Sequence, residues 1–263
     1  MRVLGTLAVV AIVSSAATGA AAPPAARIAG LAVDVVSADV VRVTLRTPAL
    51  PGGVPAGLAG QVLTLGEDVA VPLAAAADLA ADGATARAAF DLKLRDVPER
   101  VLALDPERLR VRWEGLDAKG KTLAALEGTL DLGDPGETVL PLRKLYDTYA
   151  RVDDLTVTPG LTAVSVHALL RLYDPFGFDI AVTRLEYAIK VGKQTVLASQ
   201  HPGFRLRAGQ RGDVLIEEQV ALADAAGAVA AVLRGEAAAL DGTLVIRTAS
   251  GDREIPLHLG ATP

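Results

Sequence analysis

The side chains able to move protons near neutral pH are three histidines, His167, His201 and His258, because unperturbed imidazole alone titrates there. His167 lies on the face opposite Val166 and Ala168, and His258 alternates outward from Leu257 and Leu259, so both are expected on solvent faces of strands. His201 precedes Pro202-Gly203, which predicts a turn. No two histidines stand four apart, and the chain has no cysteine, so no transition-metal site is expected. A serine hydrolase needs its nucleophile raised on a Gly-x-Ser-x-Gly elbow, and Ser165 and Ser199 sit in ordinary strand or loop sequence instead. The run 248–253 reads as a hairpin turn. The glycine-rich run 51–57 contains prolines and opens no helix, so it reads as a surface loop and not as a phosphate cradle.

Two carboxylate pairs, Asp153-Asp154 and Glu217-Glu218, could in principle form an acid–base couple. On a strand, adjacent side chains point to opposite faces, so neither pair is expected to converge. Asp153-Asp154 also lacks the spaced oxygens of a calcium loop. Arg108, Arg110 and Arg112 follow one strand face, and Arg205, Arg207 and Arg211 gather near a turn. They suit a solvated sheet exterior or guarded edges; the functional alternative is contact with anionic lipid headgroups or polysaccharide. The expectation is a protein without catalytic residues, metal or cofactor.

The elements that carry these residues are strands. Period-two alternation marks Val41, Val43 and Leu45; Phe90, Leu92 and Leu94; and Leu109, Val111 and Trp113. After Gly133 it returns in Val164, Val166, Ala168, Leu170 and Leu172, then in Leu185, Tyr187, Ile189 and Val191. It closes in Leu244 and Ile246, and Ile255, Leu257 and Leu259. Strands with one apolar face belong to antiparallel sandwiches. Val214, Ile216, Val220 and Leu222 share a phase that Glu218 interrupts, which predicts a bulge or a sheet edge. Short helices are expected over 98–104 and 223–233, the latter closed by Arg234-Gly235. Pro48 and Pro175 each end an early strand, and Pro48 stands as far from Gly133 as Pro175 does from Gly260. The shared order of strand, proline break, strands, helix and hairpin predicts tandem duplication. Residues 134–152 connect the copies, with Leu142, Leu145, Tyr146 and Tyr149 at helical spacing.

The chain has 263 residues, a net charge of −5, 3% aromatic residues and no cysteine. That acidic balance argues against nucleic-acid binding, and stability must come from burial without disulfides. Residues 1–22 read as a signal peptide: Arg2, an apolar run over 3–13, then small residues with Ala-x-Ala choices. The apolar run is short of the roughly 20 residues of a membrane span. The mature protein is therefore expected to be exported, periplasmic or secreted, with an uncleaved N-terminal anchor as the alternative.

The second copy carries a family signature. A strand ends in Tyr173-Asp174-Pro175-Phe176, and Leu185-Glu186-Tyr187-Ala188-Ile189 follows. A helix over 223–233 precedes Gly242-Thr243-Leu244-Val245-Ile246, and the chain closes on Ile255–Gly260. This order resembles the late-embryogenesis-abundant group 2 family, whose folded unit is the water-stress-and-hypersensitive-response (WHy) domain. That family usually has Asn-Pro-aromatic where this chain has Asp174-Pro175-Phe176, and either side chain can brace such a turn. Residues 153–260 carry the resemblance; residues 29–133 form a degenerate copy, with Thr47-Pro48-Ala49-Leu50 at the break. The resemblance implies an all-β protein of two tandem antiparallel β-sandwiches (immunoglobulin/fibronectin-like), each with one short helix. Tyr173, Asp174, Pro175, Phe176, Leu185, Tyr187, Gly242 and Gly260 are then structural motif residues. It also implies a role in desiccation or related stress; with the absence of a catalytic motif and the expected export, the expectation is a non-enzymatic protein protecting envelope components. The alternative is an envelope binding module for lipid, a membrane surface or a protein partner.

Overall fold

The alternating segments form strands in a computed structural model that describes residues 25–48, 50, 55–73, 78–82 and 85–260. The expected signal peptide, Ala49 in the first proline break and residues 51–54 of the glycine-rich loop lie outside the described residues. The described chain divides into two units, the first running to Leu142 and including Thr248–Ser250, the second comprising Arg143–Arg247 and the residues from Gly251 on. Both are all-β sandwiches.

In the first unit the strands are β1 (Ala26–Arg27), β2 (Gly30–Ser37), β3 (Val40–Thr47), β4 (Gly60–Leu65), β5 (Val69–Pro72), β6 (Asp78–Asp82), β7 (Thr85–Lys93), β8 (Leu109–Leu116), β9 (Thr122–Leu130) and β10 (Thr138–Val139). One sheet runs β1-β9-β8-β4-β5 and the other β10-β2-β3-β7-β6. Pairing is antiparallel except at two edges, where β1 joins β9 and β10 joins β2 in parallel. Val41, Val43, Leu45, Phe90 and Leu92 of one sheet and Leu63, Leu65, Leu109, Val111 and Trp113 of the other are buried. The helix expected over 98–104 is a single 3-10 segment, Glu99–Ala103, that begins after Pro98.

Trp113 is fully buried, and its indole N–H donates to Gln61 Oε1 at 3.0 Å. Gln61 is itself buried, and its side-chain oxygen serves as an acceptor in the core for that large side chain. Replacing Gln61 by methionine keeps the volume and leaves the indole N–H without this acceptor. Denaturant unfolding followed by Trp113 fluorescence should show a loss of about 1–3 kcal/mol; an unchanged midpoint would refute the assigned role.

The second unit comprises α1 (Leu142–Tyr149), β11 (Ala150–Pro159), β12 (Ala163–Tyr173), β13 (Ile180–Val191), β14 (Gln194–Leu206), β15 (Arg211–Ala221), α2 (Ala226–Leu233), β16 (Ala238–Thr248) and β17 (Gly251–Gly260). Its sheets are β11-β12-β15 and β14-β13-β16-β17. The segment read as a connector over 134–152 is shared out between the units. Thr138 and Val139 extend the first unit's sheet beside Leu31 and Ala32. The helical stripe buries Leu145 and Tyr149, while the Tyr146 hydroxyl donates to the Pro256 carbonyl at 3.1 Å.

Several local expectations need correction. β11 starts at Ala150, ahead of residue 153: Ala150 and Val152 are buried opposite Leu172 and Leu170. A bulge between Val152 and Asp154 hides that alternation, and it turns Asp153 and Asp154 to the same exposed side. His201-Pro202-Gly203 is not a turn but lies inside β14. That strand is a sheet edge, where proline's missing N–H breaks no ladder bond. Of the two alternatives at Glu218, the sheet edge holds: it is exposed on β15, also an edge, and the register to β12 is unbroken, without a bulge. The helix begins at Ala226, not 223, because residues before it form a turn with the Asp224 and Ala225 amides on the Ala221 carbonyl. Gly235, at φ +73°, lets the chain leave α2 in a left-handed conformation.

Candidate functional site

The signature residues build a corner. Pro175 cannot extend the ladder, so β12 stops at Tyr173. The Asp174 N–H donates to the Gln210 carbonyl at 3.0 Å, which ties the corner to the β14–β15 turn. Asp174 Oδ1 accepts the Phe176 N–H at 2.9 Å, the local brace that its sequence position suggested. Phe176 is 2% exposed and stacks on Phe178 with ring centroids 5.1 Å apart. Asp179 Oδ1 accepts the Ala208 N–H at 3.0 Å and closes the corner from its far side. Tyr173 stacks on Tyr149 of α1 at 6.4 Å.

Asp174 is wholly buried, and its Oδ2 has no hydrogen-bond partner. Burial pushes this carboxyl up to about 7, against the downward pull of the Phe176 and Ile180 amides and with a smaller upward push from Asp179. Desolvation wins because a carboxylate without water or a cation has too few donors to replace its hydration. Sequence reasoning identified the brace but missed the orphaned second oxygen. The available signal was a carboxylate set between Leu172-Tyr173 and Pro175-Phe176, with only one local amide to bind.

The remaining motif residues lie elsewhere. Leu185 and Tyr187 are buried on β13. Tyr187 faces Gly242 of β16 in register, and a Cβ at Gly242 would come within 2.7 Å of the Glu186 carbonyl oxygen, so glycine is sterically required. Gly260 is exposed at the end of β17 with open space around it. The structure thus joins Tyr173, Asp174, Pro175 and Phe176 in one corner, places Leu185, Tyr187 and Gly242 together in a sheet, and leaves Gly260 apart.

The titratable residues outside the motif pair across strands. His167 lies with Nε2 3.4 Å from Asp154 Oδ2 and Nδ1 3.4 Å from Glu217 Oε1. The bulge that exposes both aspartates splits their partners: Asp153 takes Arg171 at 2.7 Å, and Asp154 takes His167. On the other sheet Asp241 binds Lys190 at 2.7 Å and His258 at 3.1 Å, and the Lys190 bond holds its carboxyl below the usual range. A depression of about 720 Å³ lies beside them, lined by Glu186, Ala188, Gln200, Asp241, Thr243 and His258 among others. His201 packs edge-on against Phe204 at 5.8 Å. Each half-exposed pair is worth roughly 0.2–1 kcal/mol of strand registry.

The arginine stripe of the first unit is neutralised in the same way. Arg110 binds Glu127 at 2.6 Å, and Arg112 binds Glu114 at 2.9 Å and Glu127 at 3.3 Å. Hydrogen bonds from Arg110 hold the Glu127 carboxyl below its ordinary value, and Glu114 pushes the Arg112 guanidinium up. Arg108 stands off this row, in the 3-10 turn Pro106–Arg108. In the second unit Arg205 lies 3.6 Å from Asp179, and Arg207 and Arg211 are exposed. Among the described residues no group of three or more His, Asp or Glu is placed to hold a metal ion, and no helix is long and apolar enough to cross a membrane.

No family model and no curated protein sequence matches the chain. Solved structures resemble it at low scores. A protein from Archaeoglobus fulgidus is 9% identical over 42% of this chain and 94% of its own, with a TM-score of 0.33. A DUF4785 family protein from Legionella pneumophila is 7% identical over 85% of this chain and 52% of its own, with a TM-score of 0.34. A putative late embryogenesis abundant (LEA) protein is 21% identical over 43% of this chain and 67% of its own, with a TM-score of 0.31.

Proposed function

We propose that this chain is an exported, non-enzymatic stress-protection protein of the late-embryogenesis-abundant group 2 type, acting on envelope components during water loss. The observation that carries the reading is the corner at Tyr173-Asp174-Pro175-Phe176. Its aspartate takes the bracing position that the family resemblance assigns to asparagine, and its phenylalanine enters the core. The Leu185/Tyr187 strand and the Gly242 hairpin follow in the same order, with Tyr187 set against Gly242. A non-catalytic role is supported by what the polar side chains do: Asp153, Asp154, His167, Glu217, Asp241 and His258 each pair across or along strands. None is held dry beside a nucleophile. A folded sandwich of this kind protects by presenting a stable, soluble surface to apolar patches that drying exposes on other proteins or on membranes.

The test is recovery of a labile enzyme after drying and rehydration. The full chain should preserve more activity than an equal mass of albumin. Recovery equal to albumin would remove the protective reading.

A further inference from the structure

A second feature, in the first unit, points to a ligand. On the outer face of the β2-β3-β7-β6 sheet, Cα partners across the strands form the row Gly30, Arg46, Arg87, Ala80. The two arginines thus stand directly opposite each other on adjacent strands, an arrangement that costs stability when like charges face each other. Both are exposed, and neither has a carboxylate partner among the described residues. Four positions earlier on β3, on the same face, Arg42 has Asp34 on one side and Asp91 on the other, and it binds Asp91 through two hydrogen bonds of 2.7 and 3.0 Å. The same strand therefore neutralises one arginine and leaves the next one charged beside a second.

Arg46 and Arg87 also line one cavity, of about 590 Å³, walled by small residues including Gly30, Ala86 and Gly136, with Thr47 beside them. Gly30 is small for a reason: a Cβ there would come within 3.1 Å of the Glu137 carbonyl oxygen. Two carboxylates near the cavity hydrogen-bond to backbone amides. Glu137 Oε2 accepts the Asp131 amide at 3.0 Å, and Asp134 Oδ1 accepts the Gly136 amide at 2.7 Å.

We propose that Arg46 and Arg87 form a clamp for a phosphate group, with the cavity holding the substituent that the phosphate carries. Guanidinium presents a planar fork of N–H donors. One fork satisfies a carboxylate, whereas two facing forks suit a tetrahedral oxyanion with oxygens turned to both sides. The cavity falls in the usual range of roughly 300–1,000 Å³ for ligand sites, and so exceeds the phosphate alone. An exported protein could meet this chemistry as a phospholipid headgroup or as a soluble phosphate ester. The inference does not depend on the protective reading, and it stands whether or not the protein protects during drying.

The test uses the full chain at low ionic strength, with Arg46→Gln, Arg87→Gln and the control Arg42→Gln. Calorimetric titration with inorganic phosphate and glycerol phosphate should saturate at one site. Each clamp variant should weaken it about tenfold or more, while Arg42→Gln leaves it unchanged. If the source is lipid, soluble phosphate will bind poorly. Co-sedimentation with phosphatidylglycerol vesicles, and not with phosphatidylcholine alone, should then fall in both clamp variants and persist in the control. Thermal melts guard the comparison, since relief of the like-charge contact should leave Tm unchanged or raised. Absence of both kinds of binding overturns the proposal, as does binding that Arg42→Gln weakens equally.

Discussion

Replacing Asp174 by asparagine is expected to stabilise the second unit by about 2–4 kcal/mol at pH 8 and to leave it nearly unchanged at pH 4. The side chain is wholly buried, with Oδ1 on the Phe176 amide and Oδ2 without a partner. Its carboxyl is raised to about 7 in the folded protein and lies near 3.9 when unfolded. Below both values the two states are protonated alike, and the folded state carries no penalty. Between about pH 4 and 7 the unfolded chain releases a proton that the folded chain keeps, so stability falls as pH rises through this window. Above about 7 the folded chain must ionise a buried carboxyl, and the loss levels off. The full window corresponds to about 4 kcal/mol, at about 1.4 kcal/mol per unit. Asparagine resembles the protonated acid: it keeps the Phe176 acceptor and places a neutral NH2 group, a buried donor as the acid's O–H is, where Oδ2 now sits. Its cost therefore cancels at low pH and its benefit appears at high pH. Urea unfolding at pH 4, 6 and 8 measures this; parallel stability curves for the two proteins would refute the buried-carboxyl account.

Phe176→Ala should cost about 3–5 kcal/mol, the usual range for emptying a buried aromatic site. Phe176 is 2% exposed, and its ring stacks on Phe178 at 5.1 Å. The Asp174 brace fixes its backbone amide, so the corner has little freedom to collapse into the void. Leu161 supplies the contrast: it is 97% exposed, and Leu161→Ala should change stability by no more than about 0.5 kcal/mol. Spectroscopy can separate the units. The single tryptophan is Trp113, in the first, and the four tyrosines, Tyr146, Tyr149, Tyr173 and Tyr187, all lie in the second. The tyrosine-detected transition should shift in Phe176→Ala; a loss of less than about 1 kcal/mol would show that the corner does not anchor the core.

Strand periodicity made most of the fold legible, because one face of each strand is buried and the other is solvated. Val164 through Leu172 shows this directly: the residues of the inward phase are those the structure buries. What the pattern could not show were departures from period two. The bulge at Asp153 reverses one side chain, so Ala150 and Val152 looked like connector and the two aspartates looked divergent. His201-Pro202-Gly203 carries a turn's composition, yet an edge strand has no ladder bond for Pro202 to break. Cross-strand chemistry was equally hidden. His167 meets Asp154 and Glu217, and Arg46 meets Arg87, only through register, which residue types along one strand do not encode. The corner was the most legible part of the candidate site because its brace is local: Asp174 reaches an amide two residues on.

Under the proposed function, protection comes from the folded sandwich and not from chain composition. This claim is tested most directly by drying a labile enzyme with the wild-type chain and with Phe176→Ala, the latter above the melting temperature of its second unit. The claim predicts greater enzyme recovery with the wild type, and recovery with the variant reduced to that given by an equal mass of albumin. Equal recovery with the folded and the unfolded second unit would contradict it.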